Sequence, residues 1–187
     1  MVRMLLNVAV VLVLVLVLVL GATSALADDK ASCPAFLDHE LPKLHSKDSV
    51  NLCELAAGKP LLVVNTASFC GFTGQFRGLE KLHQRYRQQG LVVVGFASDD
   101  FRQEAETEAE AATICFKNFG VTFTMIAPGP VTGPSATPLF AHINRNSQAP
   151  RWNFTKYVLD ATTLIKSFPS SVSPGDSQIA QALESVL

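Results

Sequence analysis

Four side chains in this 187-residue chain carry most of its potential chemistry: Cys33, Cys53, Cys70 and Cys115. Cys70 is the best placed of them. It comes five residues after the apolar run Leu61-Leu62-Val63-Val64-Asn65 and just before an amphipathic stretch, hence between the end of a buried strand and the start of a helix. Reactive groups gather at the carboxyl edge of open α/β sheets, and a helix N-terminus offers unpaired N–H groups and partial positive charge that lower a thiol pKa. The position therefore permits a thiolate nucleophile. A small buried apolar residue is the other reading of it. Cys70-Gly71-Phe72-Thr73 has Thr where a dithiol oxidoreductase carries its second Cys, so the helix holds no resolving thiol of its own.

The elements around Cys70 can be read from periodicity and breakers. Ala31 to Lys59 reads as an extended arm and a short hairpin ending at the Gly58-Lys59-Pro60 turn. Leu61 to Asn65 and Leu91 to Phe96 read as buried parallel strands on either side of an amphipathic helix, Phe72 to Gln89, which Gly90 stops. A helix from Glu104 to Phe119 and a strand from Val121 to Ile126 follow. Next come a Pro/Gly-rich loop over Ala127 to Ala136 and a short helix over Pro138 to Asn144. Trp152 to Leu159 and Leu164 to Phe168 read as an antiparallel hairpin, and the last helix opens with Ser173 as N-cap, Pro174 at the first helical position and Asp176 in the first turn. This order predicts an α/β fold of thioredoxin-like arrangement, a central mixed sheet flanked by helices, with the arm and hairpin at its N-terminal end.

Composition limits the function classes. With 15 Lys+Arg against 16 Asp+Glu and no basic stripe, the chain lacks the clustered charge of a nucleic-acid binder. Its 48% apolar content rules out disorder. Much of that content lies at the start: Met1, Val2 and Arg3 precede an uninterrupted run from Val8 to Leu20, followed by Ala25-Leu26-Ala27 and Asp28-Asp29. The order fits a secretory signal peptide over residues 1–27, cut after Ala27, leaving one domain over 28–187; a retained anchor over Met4 to Leu20 is the competing reading. Four cysteines in an exported chain permit disulfides, and spacing alone leaves three connectivities open.

The residues around Cys70 decide among thiol chemistries. A peroxiredoxin-type site has Thr three residues before its Cys, where Ala67 stands. Asn65-Thr66-Ala67-Ser68-Phe69-Cys70-Gly71-Phe72-Thr73 instead resembles the N-x-A-S-x-C-G-F-T segment of glutathione peroxidases. The likeness continues through Gly78 to Leu82, Gly90 to Phe96, Gly120 to Phe123 and Trp152-Asn153-Phe154-Thr155-Lys156, similar to that family's W-N-F-T-K signature. These blocks run in order over about residues 48 to 187.

The resemblance implies a thiol peroxidase of the cysteine type, reducing hydrogen peroxide and organic hydroperoxides. Cys70 would be the peroxidatic residue, supported by the indole N–H of Trp152 and the amide of Asn153, donors that do not titrate away in the working range. Cys115, in Cys115-Phe116-Lys117-Asn118-Phe119-Gly120-Val121-Thr122-Phe123, matches the thiol that resolves the sulfenic acid into a disulfide. The fourth member, Gln in the family's F-P-C-N-Q-F segment, is replaced by Asp100, whose carboxylate would repel a thiolate; Gln103 is the available substitute. The family's G-G-Q-E-P loop is shortened to Arg102-Gln103-Glu104. Should Asp100 disable the site, the alternative is a non-catalytic redox-sensing or binding module.

The resemblance further implies no cofactor beyond a thiol co-substrate, a thioredoxin-like protein or glutathione. Ala127 to Ala149 lacks the long insertion of oligomeric members, so a monomer is expected. Cys33 and Cys53 have no counterpart in the family motifs and are expected to form a structural disulfide that stabilises the arm by roughly 3 kcal/mol. His39, His45, His83 and His142 show no metal-ligand spacing, so no metal is expected. The sequon Asn153-Phe154-Thr155 lies inside the signature block and is expected to point inward. Leader and size point to a bacterial periplasm or secretion.

Overall fold

In the computed structural model, residues 33–160 and 163–187 are described. The expected signal peptide lies outside them. Leu61–Thr66, with no polar residue before Asn65, forms strand β3, buried along its whole length because both of its faces are covered. Alternate side chains serve two separate cores: Leu62 and Val64 on one face, Leu61 and Val63 on the other. β3 pairs in parallel with β4 (Val92–Ala97), which pairs in parallel with β5 (Thr124–Ile126). On its other side β3 pairs antiparallel with β6 (Lys156–Leu159), followed by β7 (Leu164–Phe168), giving the order β5-β4-β3-β6-β7. The sheet is mixed, as the sequence predicts.

Three helices cover the first face. Phe76, Leu79, Leu82 and Tyr86 of the helix Phe76–Tyr86 pack there with Ala111 and Ala112 of Glu108–Ala112 and Ile179 and Leu183 of Ser177–Glu184. The helix Pro138–Asn146 covers the opposite face through Leu139, Phe140 and Ile143. It is joined there by the arm residues Leu37 and Leu41 and by Leu52 of the short helix Leu52–Ala56. In chain order the helices are α1 (Leu52–Ala56), α2 (Phe76–Tyr86), α3 (Glu108–Ala112), α4 (Pro138–Asn146) and α5 (Ser177–Glu184).

The arm forms the expected hairpin, β1 (Glu40–Pro42) against β2 (Ser49–Asn51), but α1 intervenes before the Gly58 turn. Asn51 nucleates that helix by accepting the Cys53 N–H on its side chain at 2.9 Å, a local signal too short to register as periodicity. Backbone bonds from Leu44 to Met125 and from Ala127 to Pro42 seat the hairpin along the free side of β5, so that edge is not left open.

The strand expected from Val121 starts only at Thr124, and other expected boundaries move as well. The helix expected at Glu104 starts at Glu108, because Thr107 caps it and the backbone of Gln103 is committed to Phe69. Its C-terminal half, Thr113–Asn118, widens into a π-helical turn. The strand expected from Trp152 starts only at Lys156, because Phe154 adopts φ 64° and folds Trp152 to Thr155 into a turn. Asp176, not Ser173, caps the last helix by accepting the Gln178 N–H at 2.9 Å, while Ser173 makes the turn before it.

Lys156 is fully buried, its ammonium donating to the carbonyls of Val172 (2.6 Å) and Ser170 (3.3 Å), and burial pulls its pKa down to about 8. Gln75 Nε2 reaches the same Ser170 carbonyl at 2.7 Å, which ties the start of α2 to the segment ahead of α5.

Cys33 and Cys53 form the expected disulfide, joining the arm to α1 across 20 residues of sequence. The protein as purified should resist alkylation at both positions. Replacing both with Ser should lower the unfolding free energy by about 2–3 kcal/mol in urea titration, the loop-closure entropy of a loop of that size; an unchanged midpoint would show that the arm holds without the bridge.

Candidate active site

Cys70 lies beyond the carboxyl end of β3, where Thr73–Gln75 forms a 3-10 turn leading into α2. The loop is shaped by the Thr73 hydroxyl. It accepts the Cys70 N–H at 3.0 Å and stands 2.8 to 3.3 Å from the carbonyls of Ala67, Ser68 and Cys70, so a single side chain closes the turn. Cys70 as a residue is 8% exposed, and its sulfur receives the backbone N–H of Phe72 at 3.4 Å, a donor of the kind that steadies a thiolate.

Two further segments converge on this loop. The first is the turn carrying Trp152 and Asn153, which is clasped to β3 by Asn65. The Asn65 side chain donates to the Trp152 carbonyl (3.2 Å) and accepts the Thr155 N–H (3.1 Å), while its carbonyl accepts the Phe154 N–H (2.6 Å). The second runs from Asp99 to Ala105. The Gln103 carbonyl accepts the Phe69 N–H at 2.8 Å, and its side-chain oxygen accepts the Asn153 amide at 3.2 Å. Glu104 accepts the Ser68 hydroxyl and the Ala105 N–H, and burial raises its carboxyl above the usual range. Arg102 (φ 57°) and Phe154 (φ 64°) are non-glycine residues held in the left-handed region on either side of these contacts, strain of the sort that collects where side chains must be aimed.

Asp100 does not join the site. Its carboxylate accepts the Thr132 hydroxyl and N–H at 2.7 Å each and the Val131 N–H at 2.8 Å, anchoring the Pro/Gly-rich loop. Three donors to one oxygen explain why the side chain turns that way, and Gln103 is the residue brought beside Asn153 instead. The spacing around the shortened Arg102-Gln103-Glu104 loop was the signal for this. Trp152 is also placed differently from a core aromatic: it is 41% exposed, with its ring against Phe101 at 5.5 Å between centroids. Asn153 is fully buried, so the sequon is inaccessible in the folded chain. The roles of Asn65 and Thr73 went unread from the sequence, although an Asn ending an otherwise apolar buried strand is itself a sign of a specific partner.

Cys115 sits in the π-helical turn, and its thiol donates to the Ala111 carbonyl at 2.7 Å. Burial pushes its pKa up to about 11, and the Glu104 carboxylate adds to the effect. Cys70 and Cys115 are both free thiols and belong to the same buried apolar cluster. Among the described residues no group of three or more His, Cys, Asp or Glu could hold a metal ion.

Comparison with known proteins identifies the family. The glutathione peroxidase family model matches residues 38–144. A glutathione peroxidase of Lactococcus lactis is 40% identical over 128 residues, 65% of this chain and 82% of that protein. A glutathione peroxidase-like peroxiredoxin of Chlamydomonas reinhardtii is 36% identical over 137 residues, 70% of this chain and 83% of that one. Among solved structures, Trgpx in its apo form superposes with a TM-score of 0.63 at 26% identity, covering 82% of this chain and 95% of that one. With the family model over more than half its length and relatives of this similarity, the chain belongs to the glutathione peroxidase family as a cysteine-type member, an oxidoreductase that reduces peroxide with thiol co-substrates and no prosthetic group.

Proposed function

We propose that Cys70 is the peroxidatic residue, that Gln103, Asn153 and Trp152 support it, and that Cys115 resolves its oxidised form. One observation carries this reading: Gln103 is bonded to the Cys70 loop through its carbonyl and to Asn153 through its side chain. With its amide oxygen engaged, the donating end of the Gln103 amide is left for an acceptor such as a thiolate. In the first step the Cys70 thiolate attacks one peroxide oxygen, an S–O bond forms and the O–O bond breaks. The alkoxide or hydroxide that leaves takes up a proton as alcohol or water. Cys115 sulfur then attacks the sulfenic sulfur, water departs and a Cys70–Cys115 disulfide remains. A dithiol reductant of thioredoxin type, or glutathione, returns both thiols.

The resolving step requires Cys115 to leave its bond to Ala111 and lose its proton, and the π-helical turn is a poor place to hold it rigidly. The rival reading, a module without catalysis, relied on Asp100 facing the thiolate and loses its support with that carboxylate bonded elsewhere. Export to an oxidising compartment is supported by the leader-like start and the arm disulfide, and a monomer by the short segment after β5. Among the described residues no helix is long and apolar enough to cross a membrane.

Cys115→Ser should leave a sulfenic acid at Cys70 that a dimedone-type probe labels, with turnover by thioredoxin lost; unchanged turnover would remove Cys115 from the cycle. Gln103→Ala should slow Cys70 oxidation near pH 7 by about tenfold or more, while Asp100→Gln stays within about twofold, as read by stopped-flow oxidation. In a Cys70→Ser background, alkylation of Cys115 should rise about tenfold per pH unit above neutrality and level off near pH 11, because burial raises the folded thiol; in the denatured chain it should level off near 9.

A further inference from the structure

Two aromatic residues near Cys70, Phe69 and Phe101, have no part in the proposed chemistry, and the ring of a third, Trp152, offers a face besides its N–H. Phe69, immediately before Cys70, is 57% exposed. Its backbone N–H is bonded to Gln103, two residues past Phe101, and the Phe101 ring lies against Trp152, itself 41% exposed. The left-handed turn at Arg102 separates Phe101, facing Trp152, from Gln103, facing Asn153, so one short segment delivers a ring to the rim and an amide to the interior. Isolated exposed apolar side chains are ordinary, but an exposed ring directly before the reactive Cys, on a loop bonded to the segment that carries a second ring pair, offers a surface suited to an apolar ligand.

Resting on the proposed function, we infer that Phe69, with Phe101 and Trp152, forms a subsite for the organic group of the substrate, making Phe69 a specificity residue for hydroperoxides carrying a bulky apolar group. The redox state favours this occupant over a protein partner. Both thiols are free in this structure, so it is the form that meets peroxide, whereas a reductant meets the disulfide form. With Cys70 only 8% exposed, a small group can reach its sulfur while a larger one rests outside on the rings. In the step itself the thiolate takes the terminal hydroxyl oxygen, the O–O bond breaks, and the organic group leaves as an alkoxide that is protonated to the alcohol. The group on the rings therefore belongs to the leaving alcohol, and hydrogen peroxide has nothing to place there.

The test compares second-order rate constants for Cys70 oxidation by cumene hydroperoxide and by hydrogen peroxide, read by acid quench and mass spectrometry, in the wild type, Phe69→Ala and Phe69→Leu. Phe69→Ala should lower the cumene hydroperoxide constant about tenfold, equivalent to about 1.4 kcal/mol, and leave the hydrogen peroxide constant within about twofold. Phe69→Leu, which keeps an apolar side chain at the exposed position, should fall between. Equal losses for both oxidants, or an unchanged ratio, would overturn the subsite. So would unchanged oxidation with slower reduction of the disulfide form by thioredoxin, which would place Phe69 on the reductant's docking surface. A wild-type protein whose Cys70 reacts with neither peroxide would overturn the proposed function and the subsite together, whereas reaction with both at an unmoved ratio would overturn the subsite alone.

Discussion

Asn65 ends the central strand with a fully buried amide, and its hydrogen bonds to the turn at Trp152 to Thr155 connect two parts of the chain almost ninety residues apart. Without that clasp the N–H groups of Phe154 and Thr155 would be buried beside apolar strand residues with nothing to bond, at a cost of about 1–3 kcal/mol for each. With it, Asn153 is set against Gln103, and Trp152 is presented at the surface. The left-handed Phe154 is tolerated because three bonds to one residue over-determine its position.

The Cys70 loop obeys the same logic on a smaller scale. Thr73 collects the carbonyls that the loop cannot direct into a helix, which leaves the N–H of Phe72 free to reach sulfur. Ser68 and Phe69 are held from the opposite side by Glu104 and Gln103. The segment 99–105 thus works through its two neighbours: Asp100 fastens it to the loop at 131–132, and the residues after Arg102 fasten it to Cys70. A carboxylate that would oppose a thiolate serves here as an anchor for another loop.

The two free thiols are treated unequally. Cys70 has a backbone donor on its sulfur, whereas Cys115 is kept protonated by burial and by its bond to Ala111. Such a difference suits an order of events in which one sulfur reacts first and the other waits for the chain to move.

Sequence alone determined the mixed sheet, the helix after Cys70 and the candidate thiols, because strand burial and helix amphipathicity are written in periods of two and 3.6 residues. It also carried the motif blocks that mark the family. Side-chain direction at a turn is not periodic, so it could not say whether Asp100 or Gln103 would stand beside Asn153. The choice was made by three donors at Val131 and Thr132, residues thirty positions away. Nor could it place Trp152 outside the strand, since that depended on Asn65 pulling the chain into a left-handed bend. Local patterns set the elements; hydrogen bonds between distant segments, which exist only once the sheet has formed, set the site.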